Sequence, residues 1–210
     1  MRRENRPRVS LTNSTSKHRI NVTRITDTEM AMADRYLFIL YSLPSEPSRI
    51  RVAAWRAMKK LGALNVQQSL WMLPRYPGVD QEIAQIAETI ESDGGSVSIV
   101  VGEFVYGKED IIAKFNQERE QEYTELLSYC QSFHEEIRTE TEKKNFTFSE
   151  LEENEEEFNK LTGWFKKIKK RDCFNSHVGK TAAKEIEKCK SELQEFAQKI
   201  YEQHVSNKVR

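Results

Sequence analysis

After Gly107 the chain runs about a hundred residues without a proline and with only two glycines, Gly163 and Gly179. Gly and Pro are the strongest local punctuators of a chain, so a stretch this poor in them can fold only into a few long helices. Apolar residues spaced three and four apart place the first helix at Asp110 to Glu142, with Ile111, Phe115, Leu126, Leu127, Tyr129 and Phe133 available for burial. Asn145 to Ser149 breaks it. Ser149 with Glu152 reads as a capping box, each side chain satisfying a backbone amide of the other. The second helix is expected over Leu151 to Lys170 and the third over Thr181 to Val205, with Ile186, Leu193, Phe196, Ile200 and Tyr201 on its buried side. Short connections suggest an antiparallel three-helix region.

The preceding segment has a different grammar. Residues 35–42 form a short apolar and aromatic run, the pattern of a strand buried on both faces. A turn carrying Pro44 and Pro47 follows, then a helix from about Arg49 to Leu61 with Ser48 as its N-cap and Gly62 as the residue that ends it. Strand character returns around Ser69 to Leu73. Val79 to Ile90 is the next helix, and Ser96 to Val101 the last strand. This order of elements predicts an α+β fold, a small ferredoxin-like β-α-β-(β)-α-β unit at residues 34–107 followed by the helical region at 108–210.

Residues 1–33 differ from both. Up to residue 26 they carry seven cations and one acid, with no aromatic residue and no periodicity, so they are expected to be a disordered basic tail. It reads either as an arm that touches phosphates or as an extension from an upstream start codon, since Met30 and Met32 stand just before the first strand.

Lys plus Arg and Asp plus Glu both number 33, yet the charges are segregated. Between Pro47 and Val79 there is no acid, while Arg49, Arg51, Arg56, Lys59, Lys60 and Arg75 supply cations. Arg49, Arg56 and Lys60 fall on the half of their helix opposite Ile50, Ala54 and Leu61. A surface of that kind suits a polyanion, and equally suits a solvated face. Trp55 and Trp71 are expected in the core. A second cationic cluster, Lys166, Lys167, Lys169, Lys170 and Arg171, ends a helix, where the helix dipole favours cations. Arg171 is its best bidentate anion ligand, held by neighbouring Asp172. The candidate anion-binding set is therefore Arg49, Arg51, Arg56, Lys59, Lys60, Lys167 and Arg171.

Enzymatic signatures are missing from the sequence. It has no HExxH, GxSxG, phosphate-loop or GxGxxG spacing, so neither a catalytic residue nor a cofactor is expected. Cys130, Cys173 and Cys189 form no CxxC pair, and Cys173 with His177 is a weak metal signal, so no metal site is expected. Scattered cysteines in odd number fit a reducing compartment. No run approaches the ~20 apolar residues of a membrane span, and no apolar segment follows the basic N-terminus, so a cytoplasmic protein is expected.

Leu40-Tyr41-Ser42-Leu43-Pro44, Pro47-Ser48, Arg51-Val52, Trp55-Arg56, Leu61-Gly62-Ala63 and Ser69-Leu70-Trp71-Met72-Leu73-Pro74 closely resemble the opening of the ChrB N-terminal domain family. Phe115-Asn116, Arg119 and Glu122-Tyr123 look like its long helix, and Trp164, Ile168, Arg171-Asp172 and Phe174 like its later helix and loop. The resemblance implies a role in chromate resistance, in transcriptional control; DNA as partner and an oxyanion as effector are expected with that role, and a homodimer through the small sheet is expected from the ferredoxin-like unit. Full-length members carry a second domain that 210 residues do not accommodate. The first unit is more distantly similar to the C-terminal part of PaaX-type repressors and to the small ferredoxin-like CRISPR adaptation protein. That CRISPR family has an acidic metal ligand at the end of its first strand. Here Tyr41-Ser42 stand there, which argues against a nuclease. The alternative to a DNA-binding regulator is a non-catalytic interaction or dimerisation module with no DNA contact.

Overall fold

The computed structural model describes residues 35–208, with side chains through residue 205; the basic segment expected at 1–33 lies outside the described residues. The first unit runs β1 (Tyr36–Ser42), α1 (Ser48–Leu61), β2 (Leu64–Gln67), β3 (Leu70–Pro74), α2 (Val79–Ser92) and β4 (Ser96–Gly102). The strands form one antiparallel sheet in the order β2-β3-β1-β4. The α+β class expected from the sequence is thus observed.

Register follows the apolar alternation. Leu37 stands across from Leu73 and Val101, and Ile39 across from Trp71 and Ile99. Ala54, Met58 and Leu61 of α1 and Val79, Ile83 and Ile90 of α2 join Leu37, Ile39, Trp71 and Leu73 in the first core. Only the first part of β1 is enclosed: Tyr36, Leu37 and Ile39 are buried, whereas Leu40 is exposed, so the strand is not covered on both faces. Ser48 is the first residue of α1 and makes no cap bond; Pro47 is the residue before the helix. At the other end Gly62 takes φ +87°, a left-handed conformation that closes the last turn by donating to the Lys59 carbonyl.

Three helices follow: α3 (Lys108–Lys143), α4 (Phe148–Arg171) and α5 (His177–Lys208). One stripe of α3, spaced by fours and threes, carries Phe115, Arg119, Tyr123, Leu126, Cys130, Phe133 and Ile137 to the interior. Phe115 belongs to the first core, and Tyr123 through Ile137 to a second. Leu151, Leu161 and Ile168 of α4 and Ile186, Leu193, Phe196 and Ile200 of α5 complete that second core. The start of α4 is capped two residues earlier than the sequence suggests. The Thr147 hydroxyl accepts from the Glu150 amide at 3.2 Å, and Glu150 in turn accepts from Asn145 at 3.0 Å. Ser149 lies inside the helix. Tyr129 and Tyr201 remain about half exposed; Tyr129 leans edge-on against Trp164.

Candidate functional site

The amphipathic pattern of α1 assigns its two sides different work. Ala54, Met58 and Leu61 are buried against the sheet, and this orientation leaves Arg49, Arg51, Arg56 and Lys60 exposed to solvent. None of these four has a hydrogen-bond or ion-pair partner among the described residues. Trp55 corrects the sequence reading. It is 50% exposed, whereas Trp71 is 1% exposed and is the largest fully buried side chain among the described residues. The reason is angular. Trp55 follows Ala54 by 100° around the helix, and the buried stripe at 54, 58 and 61 turns it outward. Val52 is exposed on the same side.

Lys59 differs from its neighbours. Its ammonium reaches Glu118 of α3 at 2.7 Å and lies 5.9 Å from the Trp71 ring. Arg171, at the end of α4, is similarly engaged. Its guanidinium donates to Glu122 at 2.9 Å and, at 3.5 Å, to the Lys59 carbonyl at the end of α1. Burial pulls its pKa down, and Glu122 opposes that shift. The expected pairing with Asp172 is not formed. The Asp172 carboxylate is buried, accepts from the Ser176 amide at 2.9 Å and the Tyr123 hydroxyl at 3.2 Å, and leaves Arg171 to α3. Burial, with Asp172 beside it, raises the Tyr123 phenol far above its ordinary range.

The carboxy ends of α1 and α4 therefore meet through Arg171, and the two cationic segments of the sequence become neighbours there. The Lys167 ammonium is exposed and without a partner among the described residues, whereas that of Lys170 pairs with Glu82 at 3.1 Å. The seven candidate residues divide into five free cations, Arg49, Arg51, Arg56, Lys60 and Lys167, and two, Lys59 and Arg171, that tie the sheet unit to the helices.

Arg119 is a residue whose setting sequence reasoning missed. It is 4% exposed, its Nη2 lies 3.2 Å from Glu118 and 3.4 Å from Glu122, and its Nε and Nη1 have no hydrogen-bond partner among the described residues. The signal was present: Arg119 stands midway between Phe115 and Tyr123 on the apolar stripe of α3.

A second constellation lies in a groove of about 870 Å³ between α3 and α5. There His134 bonds Glu192 through Nδ1 at 2.5 Å, and its Nε2 stands 3.6 Å from the Cys189 sulfur. A hydrogen bond with Cys130 pushes the Cys189 thiol up and holds the Cys130 thiol down. Nothing in the sequence pattern hints at this grouping, because residues 55 positions apart meet only when α3 and α5 pack. Among the described residues, no group of three or more His, Cys, Asp or Glu side chains is arranged to hold a metal ion.

Fold and site together define a two-core α+β protein with an exposed cationic helix on its sheet unit. The chain matches the family described as "Protein ChrB, N-terminal" over residues 51–207, and it belongs to that family. Protein ChrB of Cupriavidus metallidurans is 27% identical over 92 residues, which are 44% of this chain and 28% of that protein. The match thus spans little more than a quarter of that relative. No solved structure matches the chain at a significant level. Among the described residues no helix is long and apolar enough to cross a membrane.

Proposed function

We propose that this chain is a non-catalytic, nucleic-acid-binding regulatory module in a chromate or metal-oxyanion response. The observation that carries the DNA contact is the free cationic side of α1. Arg49, Arg51, Arg56 and Lys60 are exposed and unpaired among the described residues, on a segment without acids from Pro47 to Val79. A helix side that neutralises no protein charge is suited to neutralise phosphates. Membership of the ChrB N-terminal family supports the chromate context. The β-α-β-β-α-β order and the strand order β2-β3-β1-β4 support reading the first unit as ferredoxin-like.

Fluorescence anisotropy against a promoter duplex and a random duplex, across a salt series, tests this reading. Arg56→Ala is expected to weaken binding to both duplexes alike and to reduce the salt slope by about one charge. Absence of binding at low salt, where phosphate contacts are strongest, would sink the reading.

One observation favours a second reading, self-association through the sheet. Strand β4 is an edge of the sheet, it carries no charged residue, and Val100 and Val101 are exposed on it. Uncharged edge strands are templates for pairing. Sedimentation equilibrium separates the two readings: a tight dimer that ignores DNA supports the second.

A further inference from the structure

We propose that the exposed indole of Trp55, set among the free cations of α1, stacks on an unpaired nucleobase, so that the partner of this helix is single-stranded or locally unpaired nucleic acid. The inference rests on the nucleic-acid reading above and narrows it.

Trp55 is not needed where it stands. The buried side of α1 is complete with Ala54, Met58 and Leu61, and Trp71 fills the core beneath it. Half of the Trp55 surface is left in water. No ring or cation of the described residues packs on it. With exposed Val52 three residues before it, Trp55 forms a small contiguous apolar patch bordered by cations, a surface on which a flat apolar group can dock.

The surroundings say what. Arg51 lies one turn before Trp55 on the same side of the helix, Lys59 one turn beyond it is held by Glu118, and Arg56 and Lys60 stand about 100° and 140° around the helix from the indole; Arg51, Arg56 and Lys60 are exposed and unpaired among the described residues. The partner must therefore present negative charge beside a flat apolar face, from Arg51 around to Arg56. A nucleotide strand does this: bases stack on aromatic side chains while their phosphates run past neighbouring cations. In an intact duplex each base face is covered by the next base pair, so an indole on the side of a helix reaches a base only after it leaves the stack. A strand already unpaired has no such barrier.

An anionic lipid surface would also attract the cations. A helix lying in a membrane interface needs a continuous apolar side for insertion. The apolar side of α1 is already spent on the sheet, leaving Trp55 and Val52 as its exposed large apolar residues.

The full chain is tested by anisotropy at fixed salt against one 20-nucleotide sequence, presented as a single strand and as a duplex. Trp55→Ala and Trp55→Leu are expected to weaken single-strand binding by roughly 5- to 150-fold, the range that base–aromatic stacking spans. Trp55→Phe, which keeps a π face, stays within about threefold of the parent protein, and duplex binding changes little in all three. Thermal melts establish that each variant is folded. If Trp55→Leu binds the single strand as Trp55→Phe does, the contact is merely apolar and the inference is overturned. It is equally overturned if Trp55→Ala weakens both forms alike, or weakens neither while Arg56→Ala weakens both; in those cases the broader nucleic-acid reading survives. Saturable binding to phosphatidylserine vesicles with none to either DNA would overturn both.

Discussion

Arg171→Ala is expected to destabilise the protein and to leave the nucleic-acid binding proposed above unchanged. The Arg171 side chain is largely buried, 17% exposed, between the end of α1 and the middle of α3. A hydrogen bond to a charged partner contributes ~1.5–3 kcal/mol. The 2.9 Å bond to Glu122 is such a bond, and the 3.5 Å contact with the Lys59 carbonyl is too long to add much. Breaking a fully buried pair can cost more, because it strands the other charge. Here Glu122 keeps Arg119 at 3.4 Å and is not stranded. The stem also packs: its Cβ and Cγ lie 3.0 Å from the place where a side chain on Gly62 would begin. Loss of about 2–3 kcal/mol follows, which lowers the thermal midpoint by roughly 4–12 °C in a chain of this size. Scanning calorimetry measures the midpoint, and the salt dependence of DNA binding measures phosphate contact. A midpoint shift below about 1 °C, or a reduced salt slope with an unchanged midpoint, would refute the reasoning and place the guanidinium on a ligand.

Trp71→Ala is expected to cost about 3–5 kcal/mol, since it empties the centre of the first core, whereas Trp55→Ala should stay within about 1 kcal/mol of the parent because its ring is half in water; chemical denaturation compares the two, and similar losses would contradict the orientation of α1. Burial, reinforced by Glu82 and Cys173, pushes the Tyr76 phenol up to about 12, against about 10 in an unfolded chain. Between those values the folded state holds a proton that the unfolded state has lost, so this contribution is complete below pH ~10 and disappears as pH rises towards 12. Tyr76→Phe should remove part of the alkaline loss of stability, and an unchanged alkaline slope would show that Tyr76 ionises freely.

Much of this architecture was legible because its cause is local. Asp110 to Glu142 had to be helix, since nothing in it breaks one and an apolar stripe runs its length; the observed helix, Lys108–Lys143, is only slightly longer. Gly62 announced the end of α1 by being the residue that tolerates φ +87°. Elements closed by side chains from elsewhere were harder to read. Ser149 and Glu152 formed a sound capping box on paper, yet Thr147 took the role because Asn145, bonded to both Glu140 and Glu150, fixes the turn earlier. Trp55 was misjudged by residue type: the preference of tryptophan for the interior yields when Ala54, Met58 and Leu61 fix the rotation of the helix. The Arg171 partner was misassigned to the adjacent Asp172, because only packing reveals that Asp172 is taken by Tyr123 and Ser176. In the candidate site, the free cations of α1 were readable from the helical period alone. The engagement of Lys59 and Arg171 was not, since their partners lie on α3, about 50–60 positions away.

The 36 residues of α3 form one continuous rod of about 54 Å whose first turns belong to one core and whose remainder belongs to the other. The rod acts as a crankshaft, and its length is subject to a phase condition. A single residue inserted between Phe115 and Glu122 would rotate everything beyond it by about 100° and advance it by about 1.5 Å. Phe115 would keep its place while Glu122 swung away from Arg171. Seven inserted residues would bring the angle back to within about 20°, but about 10 Å further along, beyond the reach of the same contacts. Neither kind of length change can be absorbed, so evolution or design can vary the surface of this helix far more freely than its count of residues.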